Sequence, residues 1–215
     1  VQWLSRSGID CALVIPPYFI PLSSGERIAA LRTIAESCPA MGVVHYNTDY
    51  APGVSFHPED YTSLLGIPNF CGTKQGNLDN QTWKGLQQHA GSLRHLTLDV
   101  WLVRCMKQGG YGSFSLLTSL GPEFASRWVE TCKSQDWMKA EDMDKEFQRF
   151  MDDLYWPLSR KGYSDVAVDK ALVECFEFLK SSDPRPPLKP VSQEDKEWAA
   201  SQIARDGYFR NSRNV

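Results

Sequence analysis

Two segments of the chain end in residues that can carry nucleophilic and acid–base chemistry. Tyr46 closes the β-rich segment 42–46, and Lys74 closes the segment 70–74. A lysine at the end of an otherwise apolar strand is unusual, because lysine is rarely buried. Partial desolvation there would favour the neutral amine, and a neutral amine can attack a ketone carbonyl. The pattern therefore suggests a lysine that could act as a nucleophile, with a phenol near it.

Strand periodicity brings these two residues together. Side chains alternate between the faces of a strand. The predicted faces are Gly42, Val44 and Tyr46 in the first segment and Phe70, Gly72 and Lys74 in the second. His45 should then point the other way, toward a helix layer. If the two segments are consecutive parallel strands of a barrel, Tyr46 and Lys74 converge at its mouth.

Spacing alone leaves plainer interpretations open. Lys74 could be a surface lysine that closes a strand, and a strand-end tyrosine is more often a core residue than a proton carrier.

The elements that must position these residues alternate between β-rich and helical patterns. Strands are predicted at 11–15, 42–46, 70–74, 95–98 and 113–117, and helices at 25–37, 58–65, 79–89 and 100–108. Such alternation is typical of βα units around a parallel sheet. The sequence therefore predicts the α/β class.

The β-rich runs stop after residue 122. Helices are predicted at 123–133, 138–155, 166–179 and 193–204. In the third of these, Val168, Ala171, Leu172, Cys175 and Leu179 are predicted to share one apolar face. Ser192, with Asp195 three residues on, is predicted to cap the last helix. We expect two regions, 1–120 with the strands and 121–215 with the helical appendage.

Composition argues against several classes of protein. The 215 residues are 42% hydrophobic and 23% charged, with a net charge of −3. No basic footprint for nucleic acid and no membrane-length apolar run is present. The six cysteines form no close pair, and the four histidines have no ligand spacing. The sequence thus predicts buried free thiols, a cytoplasmic protein, no metal site and a small-molecule partner.

Several motifs in order resemble one family. Tyr46-Asn47 followed by Gly72-Thr73-Lys74 is similar to the signatures of the dihydrodipicolinate synthase / N-acetylneuraminate lyase family. Segments 8–19, 109–115 and 185–192 resemble its fourth strand and following loop, its eighth strand and the approach to its last helix. Together these motifs extend over nearly the whole chain.

The resemblance implies a (β/α)8 TIM barrel of which strands 4–8 are present, with a C-terminal helical appendage. It assigns Lys74 as the Schiff-base lysine and Tyr46 as the phenol that shuttles protons. Phe114 takes the place of an apolar residue that lines the 2-oxo acid pocket. No metal or diffusible cofactor is implied. The expected partner is a small 2-oxo acid, and a homo-oligomer is expected.

Two departures bear on the substrate. Ala51 stands where the synthases of the family carry a carboxylate-binding arginine, so synthase activity is not expected. Asn47 and Asp49 are the further candidates for substrate binding; Asp49 could accept hydrogen bonds from sugar-acid hydroxyls or be a solvated loop acid. Phe19 replaces a second relay tyrosine. Pro16-Pro17-Tyr18 and the Y-N-x-D motif are closer to the branch that acts on keto-deoxy sugar acids.

A third departure concerns the amino-terminal side. The first three βα units of the barrel, and the loop that binds the 2-oxo acid carboxylate, are expected ahead of Val1. Residues 23–26, Ser-Ser-Gly-Glu, resemble that loop, but they follow the fourth strand and open a helix. They are therefore predicted to form a helix cap.

The leading hypothesis is a Schiff-base-forming lyase or aldolase that acts on pyruvate or another 2-oxo acid of the keto-deoxy sugar acid type. One alternative is a dehydratase of the same family, of the 5-dehydro-4-deoxyglucarate type. Another is a barrel pseudoenzyme or interaction protein without turnover: the missing loop and Phe19 favour it, whereas Tyr46 and Lys74 oppose it.

Overall fold

The computed structural model describes residues 2–48, 55–177 and 179–209. The chain forms two compact units, Val1–Phe114 and Ser115–Val215.

The first unit is an α/β structure with one parallel sheet. Its strands are β1 (Cys11–Val14), β2 (Gly42–Asn47), β3 (Phe70–Gln75), β4 (Arg94–Leu98) and β5 (Gly112–Phe114), hydrogen-bonded in that order. The helices are α1 (Gln2–Arg6), α2 (Ser24–Glu36), α3 (Asn80–Ala90) and α4 (Leu102–Lys107), with 3-10 turns at Pro58–Leu64 and Asp99–Trp101. All four strand pairs are parallel. The predicted βα alternation is confirmed.

The predicted helix cap at residues 23–26 is also confirmed. The Ser23 side chain accepts a hydrogen bond from the Glu26 amide, and the Glu26 carboxylate accepts one from the Ser23 amide. This reciprocal arrangement satisfies two amide groups that have no partner within α2.

The end of one predicted strand was wrong in this part of the chain, and one short helix was missed. The predicted strand 113–117 ends at Phe114, because Leu116–Ser119 forms a 3-10 turn that starts from Ser115, whose side chain accepts from the Leu117 amide. The short helix α1 was not predicted.

A large apolar core covers the helix-facing side of the sheet. It includes Leu31, Ala35, Val43, Phe56, Tyr61, Phe70, Trp83, Leu86 and Cys105. The predicted alternation was wrong at one position: Phe70 pairs with Val43 and packs with it in this core, away from the face of Lys74. The cause is a register shift beside Val43 and Val44, which breaks the period of two.

The regular secondary structure in the described part of the second unit is all helical. Its helices are α5 (Pro122–Lys133), α6 (Trp137–Phe150), α7 (Trp156–Ser159), α8 (Asp165–Cys175) and α9 (Gln193–Asp206), with a π-helical turn at Met151–Tyr155 between α6 and α7. Aromatic rings form much of its core; Phe150, for example, lies 5.1 Å from Phe209 and 5.9 Å from Tyr208 between ring centroids.

Two predictions about the ends of these helices had different outcomes. Ser192 caps α9 by accepting from the Asp195 amide, as predicted. Helix α8 ends at Cys175, before the predicted end at residue 179, since Glu177 adopts a positive φ of 56°. Leu179 is consequently exposed and does not join the apolar face of α8.

None of the helices in the described part of the chain has both the length and the apolar content of a membrane span. All six cysteines are free. Cys38, Cys105 and Cys132 are buried as expected, whereas Cys11 is exposed and Cys71 and Cys175 are half-buried.

Candidate active site

Lys74 and Tyr46 occupy neighbouring positions near the carboxyl ends of β3 and β2. Their Cα atoms are register partners in the parallel pair. The Lys74 Nζ lies 3.8 Å from the centroid of the Tyr46 ring. It also lies 4.7 Å from the centroid of the Phe114 ring, on β5. We call these three residues the reactive face. The sequence named all three, and the structure brings them together.

The backbone explains how the lysine reaches this place. A Cβ on Gly72 would collide with the Arg94 carbonyl oxygen, so only glycine lets β4 approach β3 so closely two residues before Lys74. Leu96 is the register partner of Lys74, and Leu98 on the same strand is the partner of Phe114. The Lys74 amine therefore reaches past one strand to meet an aromatic ring on the next.

Two aromatic rings around one amine have a definite electrostatic effect. The faces of the rings are electron-rich and attract a cation. Both rings are therefore placed to stabilise a positive charge on the Lys74 nitrogen. Lys74 and Tyr46 are half-buried and Phe114 is 43% exposed, so the amine remains within reach of a small molecule.

The Asn47 side chain makes hydrogen bonds within the protein. Its amide nitrogen donates to the Phe56 carbonyl at 3.0 Å and to Gln75 Oε1 at 2.9 Å, while its Oδ1 accepts from the Phe56 amide at 2.7 Å. These bonds join β2 to β3 and to residue 56. Substrate binding by Asn47 stays a prediction. Asp49 and Ala51 lie outside the described residues.

The opposite side of the same strands carries a set of polar residues that the sequence analysis did not single out, apart from the orientation of His45. His45, Thr73, Gln75 and His95 are each no more than 2% exposed. We call these four residues the helix face. His45 points to the helix layer, as predicted, and its Nδ1 is 2.9 Å from the Tyr61 hydroxyl. A usable signal was the run of polar residues at alternate positions where a buried helix-facing surface would be apolar.

Burial sets the protonation of these groups. Desolvation, with the nearby Arg27, lowers the pKa of His45 to about 3. Desolvation also lowers the pKa of His95 and raises that of Tyr61 above its ordinary value. Both imidazoles are therefore neutral at pH 7, and the Tyr61 phenol keeps its proton.

A cavity of about 230 Å³ lies beside this region, at the carboxyl ends of β2 and β3. Its lining includes Asn47, Phe56, His57, Gln75, Asn77 and Thr82. Asn47 and Gln75 directly follow Tyr46 and Lys74 in sequence, but Tyr46 and Lys74 do not line this cavity. Within the described residues, no group of three or more His, Cys, Asp and Glu side chains is arranged to hold a metal ion.

Comparison with known proteins identifies the family of the chain. The family model described as the dihydrodipicolinate synthetase family matches residues 2–205. The chain belongs to this family. The resemblance inferred from the ordered motifs is thereby confirmed.

Individual relatives are distant. The chain is 28% identical over 208 residues to a 4-hydroxy-tetrahydrodipicolinate synthase of Methanococcoides burtonii, with 91% of this chain and 66% of the relative covered. It superimposes on YagE, an E. coli K12 prophage protein of the dihydrodipicolinic acid synthase family solved with pyruvate, with a TM-score of 0.82, 20% identity and coverage of 96% and 70%. Against the sialic acid aldolase of Ruminococcus gnavus the TM-score is 0.78, at 21% identity and coverage of 96% and 71%.

These likenesses establish a parallel α/β fold that corresponds to part of a TIM barrel. The chain spans 66%, 51% and 53% of the length of three curated synthases that it matches.

Proposed function

We propose that this protein is a lyase or aldolase that forms a Schiff base between Lys74 and pyruvate or another 2-oxo acid. The observation that supports this most directly is the Lys74 Nζ held 3.8 Å from the Tyr46 ring and 4.7 Å from the Phe114 ring. Membership of the family supports lyase chemistry. Pyruvate is the molecule bound in the YagE structure.

The proposed reaction begins when the neutral Lys74 amine adds to the C2 carbonyl of the 2-oxo acid. The carbinolamine loses water and leaves an imine, which is protonated on nitrogen. On a 4-hydroxy-2-oxo acid this cation withdraws electrons. The C4 hydroxyl gives up its proton, the bond between C3 and C4 breaks, C4 leaves as an aldehyde and the electron pair of the bond forms an enamine. Protonation of the enamine at C3 and hydrolysis of the imine return the free amine.

The neighbours of Lys74 have defined parts in this scheme. The Tyr46 phenol gives and takes the protons that dehydration and cleavage require. The rings of Tyr46 and Phe114 stabilise the cationic imine through their electron-rich faces. Phe114 also offers an apolar wall to the carbon chain of the substrate.

We further propose a substrate of the keto-deoxy sugar acid type, in line with the Y-N-x-D motif that includes Asp49. On such a substrate the same imine also activates loss of a hydroxyl group from C4, through the C3 carbanion equivalent. The dehydratase alternative therefore uses the same lysine and differs in which bond breaks.

Borohydride trapping tests the proposal. The complete polypeptide is incubated with pyruvate, reduced with sodium borohydride and digested. The masses of the peptides are then measured by mass spectrometry. We expect the reduced pyruvate adduct on Lys74 and none on the exposed Lys84, which serves as the internal control. Absence of an adduct on Lys74 would contradict the proposal and favour a scaffold without turnover. Product analysis with keto-deoxy sugar acids then distinguishes lyase from dehydratase.

A further inference from the structure

The helix face contains a continuous chain of hydrogen bonds across three strands. It runs from the Ala90 carbonyl through His95, Thr73, Gln75 and Tyr61 to His45. Burying so many polar groups is costly unless every step is paired. A core made of apolar residues at these positions would avoid that cost, so the arrangement calls for a reason.

The direction of the first bonds is fixed. The His95 Nε2 lies 3.1 Å from the Ala90 carbonyl oxygen, which can only accept, so Nε2 carries the proton. The ring is neutral, because burial lowers its pKa. Its Nδ1 must then accept, and the Thr73 hydroxyl donates to it at 2.8 Å.

The remaining bonds follow from that start. Thr73 has used its hydrogen, so its oxygen accepts from Gln75 Nε2 at 2.8 Å. The same Nε2 donates to the Tyr61 hydroxyl at 3.4 Å. Tyr61 in turn donates to His45 Nδ1 at 2.9 Å. His45 thus carries its proton on Nε2, which has no hydrogen-bond partner among the described residues.

Gln75 connects this chain to the reactive face. Its Oε1 accepts from Asn47, and these two residues are register partners directly after the partners Lys74 and Tyr46. The Gly76 amide donates to the Asn47 carbonyl at 2.8 Å and closes the same junction in the backbone. The Gln75 side chain therefore holds β3 to β2 through Asn47. This junction lies one residue beyond Lys74 and Tyr46, on the opposite face of the sheet.

We infer that Gln75 is a positioning residue for Lys74, acting through this junction and through the hydrogen bonds that its Nε2 donates to Thr73 and Tyr61. The inference rests on the proposed function. Gln75 does not touch the reacting atoms; it fixes the backbone from which the Lys74 and Tyr46 side chains extend. A misplacement of about 1 Å at a reacting group lowers a rate on the order of 100-fold.

Replacing Gln75 by glutamate reverses the direction of its hydrogen bonds to Thr73 and Tyr61 and leaves the size of the side chain unchanged. A carboxylate only accepts, so Thr73 and Tyr61 must donate to it, and the Nδ1 atoms of His95 and His45 lose their donors. The matched control is Gln88→Glu, the same substitution at an exposed position of α3. Gln75→Met, which removes every hydrogen bond at similar volume, is the second variant.

Three measurements on the complete polypeptide separate positioning from stability. In Gln75→Glu we expect the rate of borohydride-trapped imine formation and kcat to fall about 10- to 100-fold, with KM changed less than about threefold. We expect the ¹⁵N signals of His45 and His95 to leave the Nε2-protonated pattern. Gln88→Glu should match the unmodified protein in all three. For Gln75→Met, the trapping rate is divided by the folded fraction measured by circular dichroism, which gives the rate per folded molecule.

The outcomes distinguish the two claims. If the unmodified protein forms no imine on Lys74, the proposed function fails and the positioning role fails with it. If the unmodified protein forms the imine and folded Gln75→Glu or Gln75→Met traps it within about twofold of the same rate, only the positioning role is overturned. Loss of stability with an unchanged rate per folded molecule would likewise overturn it and leave Gln75 a purely structural residue.

Discussion

The two faces of β2 and β3 carry polar residues in opposite environments. On the reactive face, Lys74 and Tyr46 are half-buried and meet through an aromatic contact. On the helix face, Thr73 and Gln75 are no more than 1% exposed and each is held by hydrogen bonds of fixed direction. Consecutive residues of one strand therefore serve opposite requirements, access on one side and rigidity on the other.

This contrast shows how a reactive lysine can be both available and well placed. A half-exposed amine reaches a substrate, but on its own it would sample many rotamers. Hydrogen bonds buried on the opposite face restrict the backbone without occupying any space that the substrate needs. The two faces should consequently respond differently to substitution. Loss of the reactive-face amine should abolish the chemistry with little loss of stability, whereas changes on the helix face should lower stability and, at Gln75, the rate as well.

The largest effect is expected from Lys74→Arg. Arginine retains the positive charge for the rings of Tyr46 and Phe114, but its guanidinium does not act as a nucleophile at neutral pH. We expect no trapped adduct and a loss of turnover on the order of 10³-fold or more, with the unfolding midpoint in urea little changed. Lys84→Arg, at an exposed position, is the control. Retained turnover in Lys74→Arg would remove the distinction between the faces.

Thr73→Val is expected to lower the stability of the protein, unlike Lys74→Arg. It keeps the shape of the side chain and removes the hydroxyl between Gln75 and His95, so a buried donor and a buried acceptor lose their partner. The free energy of unfolding should fall by about 1–3 kcal/mol in urea titrations. Thr62→Val, on the exposed side of a 3-10 turn, should change it by less than about 0.5 kcal/mol. Equal effects of the two substitutions would contradict the buried network.

How much of this could be predicted from the sequence differs between the faces. The reactive face was predicted residue by residue, because strand-end positions and ordered motifs identify Tyr46, Lys74 and Phe114 without any knowledge of packing. The five strands follow from alternating β-rich and helical runs, which is a local signal. The cap at Ser23 follows from a local signal too.

The helix face could not be derived in the same way. The bonds that join its strands to one another and to Tyr61 connect residues 14 to 28 positions apart, and the partner in each depends on the fold. The shift beside Val43 and Val44 turned Phe70 away from its predicted face, and nothing in the local pattern marks that shift. The early end of α8 depends on a single positive φ at Glu177, a residue type that rarely adopts one.

The pH dependence of stability provides a smaller test of the helix face. His45 has an ordinary pKa of 6.5, lowered to about 3 by burial in the folded protein. Between these values the unfolded chain binds a proton that the folded chain does not, so stability falls as the pH decreases below 6.5. From pH 6.5 to 5 the loss from His45 alone is about 1.5 kcal/mol. Burial lowers the pKa of His95 as well, which adds to the loss in the same direction.

Unfolding curves in urea at several pH values measure this slope. His45→Gln should make the slope shallower, because one of the groups that take up a proton on unfolding is gone, whereas the contribution of His95 remains. His57→Gln, at an exposed position, should leave the slope as it is. An unchanged slope in His45→Gln would show that His45 does not contribute to it.

The smallest effect is expected from Phe114→Leu on the reactive face. Leucine preserves an apolar wall but removes one of the two rings near the Lys74 Nζ. The contribution of a partly exposed cation–π contact is about 0.5–1 kcal/mol, which corresponds to roughly a two- to fivefold decrease in the yield of trapped imine at subsaturating pyruvate. Tyr111→Leu is the matched control, since its ring faces Arg94 at 5.4 Å and not the lysine. If Phe114→Leu leaves the yield unchanged, the Tyr46 ring alone stabilises the charge on the Lys74 nitrogen. The reactive face then consists of Tyr46 and Lys74 only. If the yield falls far more than fivefold, Phe114 shapes the pocket for the 2-oxo acid itself, which is the role that the family resemblance assigns to it.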